Sequence, residues 1–177
     1  PAVATMEPSE IHAWFDGGSR GNPGVAGSGA VVHTRYDAAS RVAVWEGFRF
    51  VGDAATNNVA EYDGCILALE TVVALLTDAG HTAADCARRL HIRVRGDSKL
   101  AIMQITGKWQ VRHARLTQPA ARAKALVRQL QTLGATVTFD HVLRAANKAA
   151  DACANRAMDT RASGSAGALV VPACLKD

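Results

Sequence analysis

The chain has 177 residues, about one domain's worth, and at 49% apolar and 20% charged its composition is globular, which excludes a disordered chain. No apolar run reaches the roughly 18 residues that cross a bilayer, which excludes a helical membrane protein. The net charge of +4 is uneven, with eight basic and eleven acidic side chains in residues 1–96 against eleven basic and four acidic in residues 97–161; a polyanion, nucleic acid first, is the partner to expect, unless the basic part is only a solvated helix surface.

Ile11 to Phe15 is a short β-like run that ends at Asp16, and the glycine-rich stretch from Gly17 to Gly24 reads as a loop. Ser28–Arg35 and Arg41–Val51 are two further strands joined by a turn at Tyr36–Ser40; the second alternates Val42, Val44, Glu46, Phe48 and Phe50 against Arg41, Ala43, Trp45 and Arg49. Tyr62, Ile66, Leu69, Val73 and Leu76 form the apolar stripe of a long helix. Asn58 is its expected N-cap, Glu61 its capping-box partner, and Gly80 its end. His81–Arg89 is an insertion of no clear type. Leu90–Arg95 is a strand, and Gly96-Asp97-Ser98 turns it into a helix to about Thr106. A connection leads to a helix at Pro119–Leu133, then a strand at Ala135–Val142 and a helix at Ala146–Met158. Ser163–Gly167 reads as a flexible linker.

The order βββαβααβα predicts one mixed sheet with helices packed on it: an antiparallel meander, then two strands added in parallel through helices. The expected division is an N-terminal extension over 1–9, one domain over 10–160 and a flexible tail over 161–177, in a monomer. Four cysteines (Cys65, Cys86, Cys153, Cys174) lie far apart with no C-x-x-C pair, which speaks against a zinc ribbon and for a reducing compartment. PAVATMEPSE has no basic stretch followed by an apolar core, so an intracellular setting, cytoplasmic or nuclear, is expected.

Four carboxylates sit where strands end or helices begin: Asp16, Glu61, Asp97 and Asp151. Each has an ordinary reading. Asp16 suits a turn, Glu61 a capping box, Asp97 an N-cap and Asp151 an exposed helix surface. If strands one and four are parallel neighbours, however, Asp16 and Asp97 stand side by side. Carboxylates crowded without a partner repel, and a shared divalent cation relieves the repulsion. Oxygen-only ligands favour Mg²⁺ or Mn²⁺ over zinc.

The local sequences around these carboxylates form a pattern. They are Asp16-Gly17-Gly18-Ser19-Arg20-Gly21-Asn22-Pro23-Gly24, Thr56-Asn57-Asn58-Val59-Ala60-Glu61-Tyr62, Gly96-Asp97-Ser98-Lys99-Leu100, and His141-Val142-Leu143-Arg144 with Asn147-Lys148-Ala149-Ala150-Asp151. On these motifs the chain resembles ribonuclease H of type 1 from Ile11 to Met158. The resemblance implies a ribonuclease H-like α/β fold with a five-stranded mixed sheet in the order 3-2-1-4-5. It implies endonucleolytic cutting of RNA paired to DNA by a two-metal mechanism, leaving 5′-phosphate and 3′-hydroxyl ends. Asp16, Glu61, Asp97 and Asp151 are then the catalytic, metal-holding carboxylates, with Mg²⁺ as cofactor and Mn²⁺ as substitute. The hybrid is contacted, on the same resemblance, around Gly17 and Gly18 and by Asn22, Thr56, Asn57, Asn58 and Lys99. Glycine permits close backbone approach, and asparagine can donate to and accept from the 2′-hydroxyl that separates RNA from DNA.

The chain also departs from that pattern. The family's histidine-bearing loop is shortened to Arg144-Ala145-Ala146, which makes Arg144 the stand-in and leaves His141, at a strand end, a structural reading. The basic, Trp-rich protrusion of some relatives is reduced to Gly107–Arg115, where Lys108, Arg112 and Arg115 are expected to pair phosphates and Trp109 to join the core. The glycine-rich stretch lacks G-K-[ST], so it is not a P-loop, and Gly27-Ser28-Gly29 lacks the third glycine of a dinucleotide fingerprint. Three rival readings remain: a ribonuclease H domain of a retroelement polyprotein, a hybrid-binding module without catalysis, and another nuclease of the same fold.

Overall fold

The structure, a computed structural model, describes residues 9–35, 42–80 and 90–169. The expected turn at 36–40 and the insertion at 81–89 lie outside the described residues, as do Cys86 and Cys174. The strands are β1 (Ser9–Gly21), β2 (Gly24–Arg35), β3 (Val42–Ala55), β4 (Leu90–Gly96), β5 (Thr136–His141) and β6 (Gly164–Gly167). The helices are α1 (Asn57–Asp78), α2 (Lys99–Ile105), α3 (Ala114–Thr132) and α4 (Lys148–Thr160), with a 3₁₀ turn at Arg144–Ala146.

The sheet runs β5-β4-β1-β2-β3-β6, so the expected order 3-2-1-4-5 is present and one strand is added at its edge. β1 pairs antiparallel with β2 and parallel with β4, which pairs parallel with β5. The added strand corrects the flexible-linker reading of Ser163–Gly167. Glycine and serine suggest a linker by composition, but the outer edge of β3 presents unpaired backbone groups. Gly164–Gly167 pairs with Phe48 to Trp45 of that edge, and Ser163 Oγ accepts from the Phe50 N–H at 3.0 Å.

Two more expectations are corrected near the site. The glycine-rich stretch is not a loop: β1 continues through Asp16 to Gly21, in register with β2 as far as Gly24. Its glycines are there for contact. A Cβ on Gly17 would lie 2.1 Å from the Ala60 carbonyl carbon, and one on Gly64 would lie 2.1 Å from the Asp16 carbonyl oxygen. Only glycine at both positions lets α1 rest directly on β1. The N-cap of α1 is Thr56 rather than Asn58; Thr56 Oγ1 accepts from the Val59 N–H at 3.4 Å, which places Glu61 beyond the first turn. Helix α3 starts at Ala114, ahead of the expected Pro119, which lies inside the helix and cannot donate to the Arg115 carbonyl one turn back.

The main core lies between one face of the sheet and helices α1 and α3. Ile11, Ala13, Phe15, Ile92 and Val94 face Tyr62, Leu69, Val72, Leu76, Ala123, Leu126 and Leu130, all buried. Each large side chain there contributes about 1.5–3 kcal/mol by leaving water. Helix α4 covers the opposite face, with Val31, Ala150 and Cys153 packed beside Trp14 and Phe48. Among the described residues no helix is long and apolar enough to cross a membrane.

Candidate active site

The parallel pairing of β1 and β4 brings the first two carboxylates together. Phe15 is in register with Gly96, so the next residues, Asp16 and Asp97, leave adjacent strands at the same level. The close contact of Gly17 on β1 with Ala60, and of Gly64 on α1 with Asp16, brings Glu61 to the same place. Asp151 arrives on the first turn of α4. The four expected carboxylates are thereby gathered at one end of the sheet, where the charges of Asp97 and Asp151 bear on Asp16 and those of Asp16 and Asp97 on Glu61.

Asp16 is 6% exposed, and its Oδ1 accepts from the Gly17 N–H at 2.7 Å. Burial, then the charge of Asp97, pushes its carboxyl up to about 7, against the Gly17 hydrogen bond, and Asp151 adds to the rise. Burial also pushes Glu61 up, to about 8, with Asp16 and Asp97 adding to it. Glu61 Oε1 accepts from Asn57 Nδ2 at 2.8 Å, whereas Oε2 is buried with no hydrogen-bond partner. Asp97 Oδ1 accepts from Asn147 Nδ2 at 3.2 Å, and its backbone carbonyl faces His141 Nε2 at 3.1 Å. Asp151 is engaged at both oxygens, by Arg144 at 2.8 Å and by Asn155 Nδ2 at 3.0 Å.

The ordinary reading of Asp97 does not hold. The N-cap of α2 is Ser98, whose Oγ accepts from the Ala101 N–H at 3.3 Å, so Asp97 is left for another role. Among the described residues no group of three or more His, Cys, Asp or Glu side chains already stands in an arrangement that could hold a metal ion. The donor set nevertheless fits a hard cation. It is all oxygen, it includes an orphaned buried carboxylate oxygen on Glu61, and burial with mutual repulsion disfavours the ionised forms of Asp16 and Glu61 in a way a bound cation would offset.

Other expected residues fall around this centre. Gly17 is buried and Gly18 half-buried beside Asp16. Asn22 Oδ1 accepts from the Asn57 N–H at 3.1 Å, tying the β1–β2 turn to the start of α1 beside the capping Thr56. Asn58 and Lys99 are exposed at the starts of α1 and α2. Arg144 is exposed and bound to Asp151. Lys108, Arg112, His113 and Arg115 are all exposed. Trp109 was expected in the core and is 45% exposed instead; its segment leaves the end of α2, with the Trp109 N–H on the Met103 carbonyl, and does not turn inward.

Sequence reasoning gave no role to Asn147 and Asn155, which hold Asp97 and Asp151. The signal that could have found them is spacing. They lie four residues before and four after Asp151, one helical turn to either side.

A family model described as reverse transcriptase-like matches residues 14–157. The chain is 42% identical over 151 residues to the bifunctional protein Rv2228c of Mycobacterium tuberculosis, covering 85% of this chain and 36% of that protein, so it spans about a third of the mycobacterial relative. It is 39% identical over 160 residues to ribonuclease HI of Halobacterium salinarum, covering 89% of this chain and 70% of that one. The N-terminal RNase H domain of the mycobacterial protein, solved as a fusion with maltose-binding protein, superposes with a TM-score of 0.66 at 37% identity over 86% of this chain and 95% of that one. A type 1 enzyme, LC11-RNase H1, solved in complex with an RNA/DNA hybrid, superposes with a TM-score of 0.68 at 30% identity over 85% of this chain and 98% of that one.

Proposed function

The chain belongs to the ribonuclease H family, and on that premise we propose that it is an endoribonuclease that hydrolyses the RNA strand of RNA/DNA hybrids at the Asp16, Glu61, Asp97 and Asp151 site. The observation that carries this reading is the crowding of carboxylates around Asp16, with Glu61 Oε2 buried and unpartnered and Arg144 paired to Asp151 at their edge. A protein that only bound phosphates would gain nothing from negative charge gathered where the substrate lies, which disfavours a non-catalytic binder.

Asp16, Glu61, Asp97 and Asp151 would hold two Mg²⁺ ions, or Mn²⁺ in their place. Such ions would lower the pKa of an attacking water and offset charge on the departing 3′ oxygen, and the products expected are 5′-phosphate and 3′-hydroxyl ends. The chain's own groups do the rest. Asp16 and Glu61, pushed up to about 7 and about 8, would have to be ionised to serve as ligands, so metal binding would be favoured at higher pH. Arg144 releases Asp151 and becomes available to a substrate phosphate, in the place of the family's loop histidine. The backbone at Gly17 and Gly18 admits the RNA strand closely. Asn57 and Asn58 address 2′-hydroxyls, and Asn22 with Thr56 seats a phosphate of the DNA strand. Lys99, Lys108, Arg112 and Arg115 add phosphate contacts along the exposed flank.

The test is cleavage of matched substrates with and without EDTA. Metal-dependent cutting of RNA only when it is paired to DNA is the expected result. Equal cutting of double-stranded DNA, or full activity in EDTA, overturns the reading.

A further inference from the structure

Asn147 stands at the N-terminus of α4, where a short polar side chain ordinarily accepts from a backbone N–H of the first turn. Its side chain makes no such bond. Nδ2 donates instead to the Phe15 carbonyl at 2.8 Å and to Asp97 Oδ1 at 3.2 Å. The Asn147 carbonyl accepts from the Asp151 N–H at 3.1 Å. One residue, only 1% exposed, thus touches the strand immediately before Asp16, the carboxylate of Asp97 and the backbone of Asp151.

Two physical points separate this arrangement from ordinary capping. Both partners of the amide are acceptors, so only its NH₂ can face them, and the orientation follows from chemistry. The amide oxygen is then buried with no partner. Leaving such an oxygen unpaired is costly, and an asparagine kept for capping would avoid the cost by turning its oxygen to the helix N–H groups. A neutral donor is also the type the place requires. Lys or Arg would neutralise Asp97 in place of a cation, and a carboxylate would add to the repulsion.

We propose that Asn147 is a positioning residue that holds Asp97 Oδ1 against β1, leaving the other carboxylate oxygen to face the cations. The inference rests on the four-carboxylate reading above and goes beyond it by naming what sets the metal geometry. Support of this kind around a metal ligand is worth roughly 10- to 100-fold in metal affinity or activity.

The test compares wild type, Asn147→Ser and Asn147→Ala by three readouts: Mn²⁺ binding by calorimetry, kcat and KM on an RNA/DNA hybrid, and melting in EDTA. Serine caps a helix well but is too short to bridge Phe15 and Asp97, so it separates capping from positioning. The expected result for Asn147→Ser is Mn²⁺ affinity and kcat lowered roughly 10- to 100-fold, with KM for the hybrid little changed and melting in EDTA at or above wild type. Asn147→Ala is expected to lose the same metal affinity at any temperature where it remains folded. Wild-type Mn²⁺ affinity and kcat in the serine variant overturn the proposal, whatever its melting temperature. So does a rise in KM with metal binding intact, which moves the role to substrate contact. Absence of Mn²⁺ binding by the wild type overturns the four-carboxylate reading itself, and this inference with it.

Discussion

Helix α1 carries two glutamates in opposite circumstances. Glu70 lies between α1, β3 and α3, where Arg49 and Arg122 each reach one of its oxygens at 2.9 Å; Arg49 also reaches Asp63 at 3.3 Å, and Ser28 donates to the other oxygen of Asp63. Burial alone would raise its carboxyl, but the two guanidinium groups hold Glu70 below its ordinary value. Glu61, nearer the start of the same helix, receives one amide hydrogen bond and has one orphaned oxygen, and it is pushed up to about 8. The fold gives Glu70 two guanidinium partners that join elements, whereas Glu61 has no ion pair and Arg144, the cation beside it, is taken up by Asp151.

The largest expected effect breaks the site side of this contrast. Asp97→Asn should lower hybrid cleavage by roughly 100-fold or more, because a neutral amide ligates a metal poorly. The same change should raise the melting temperature in EDTA, since one repelling charge is gone, and Mg²⁺ should stabilise the variant much less than the wild type. Paired melts with EDTA and with Mg²⁺ check both halves. An active variant with the wild-type metal response removes Asp97 from the site.

The next effect uses pH to read both carboxylate environments. Asp16 and Glu61 keep their protons to about 7 and about 8, whereas an unfolded chain releases such protons near pH 4. Between these limits the folded state holds more protons than the unfolded one, so this contribution is greatest below about pH 4 and is lost as pH rises to about 8. Glu70 has the opposite sign: its contribution is present above the ordinary glutamate value and is lost as pH falls through its depressed value. Denaturant unfolding in EDTA should show stability declining from about pH 5.5 to about pH 8, and saturating Mg²⁺ should flatten that decline. A decline that Mg²⁺ leaves untouched would assign it to groups outside the site.

Smaller effects test the flanks. Replacing Lys108, Arg112 and Arg115 together by Ala should weaken hybrid binding and flatten its salt dependence, by a log–log slope of up to roughly 0.9 per lost phosphate contact. An unchanged slope puts the binding face elsewhere. Glu70→Gln should cost about 1 kcal/mol of stability, since its ion pairs are partly solvated, and should leave cleavage intact. Loss of cleavage in that variant would mean that the two glutamates are not separate in function.

Much of this site was legible in the sequence because the motifs around the carboxylates are local. Asp16 before two glycines, Glu61 at the start of an apolar-striped helix and Asp97 after a short β run could each be found without coordinates. Their meaning could not. A capping box for Glu61 and an N-cap for Asp97 were equally good local readings, and Thr56 and Ser98 take those tasks instead. Glycine-rich composition misled twice, at Gly17–Gly24 and at Ser163–Gly167, because glycine marks close backbone approach and edge pairing as well as loops. Trp109 was placed in the core on its residue type, which says nothing about where a short connection carries it.

By itself the sequence determined the order of the first five strands and the four helices, the apolar face of α1 and, through the family resemblance, which four carboxylates to expect at the site, but not the edge strand β6. These follow from periodicity and local motifs, which are properties of neighbours along the chain. Only the tertiary structure decided which carboxylates lack a cation, that Asn147 turns from its helix to Asp97, and that Glu70 is paired while Glu61 is not. Burial and charge act through space, and Asp16, Glu61, Asp97 and Asp151 become neighbours only when β1, β4, α1 and α4 have packed.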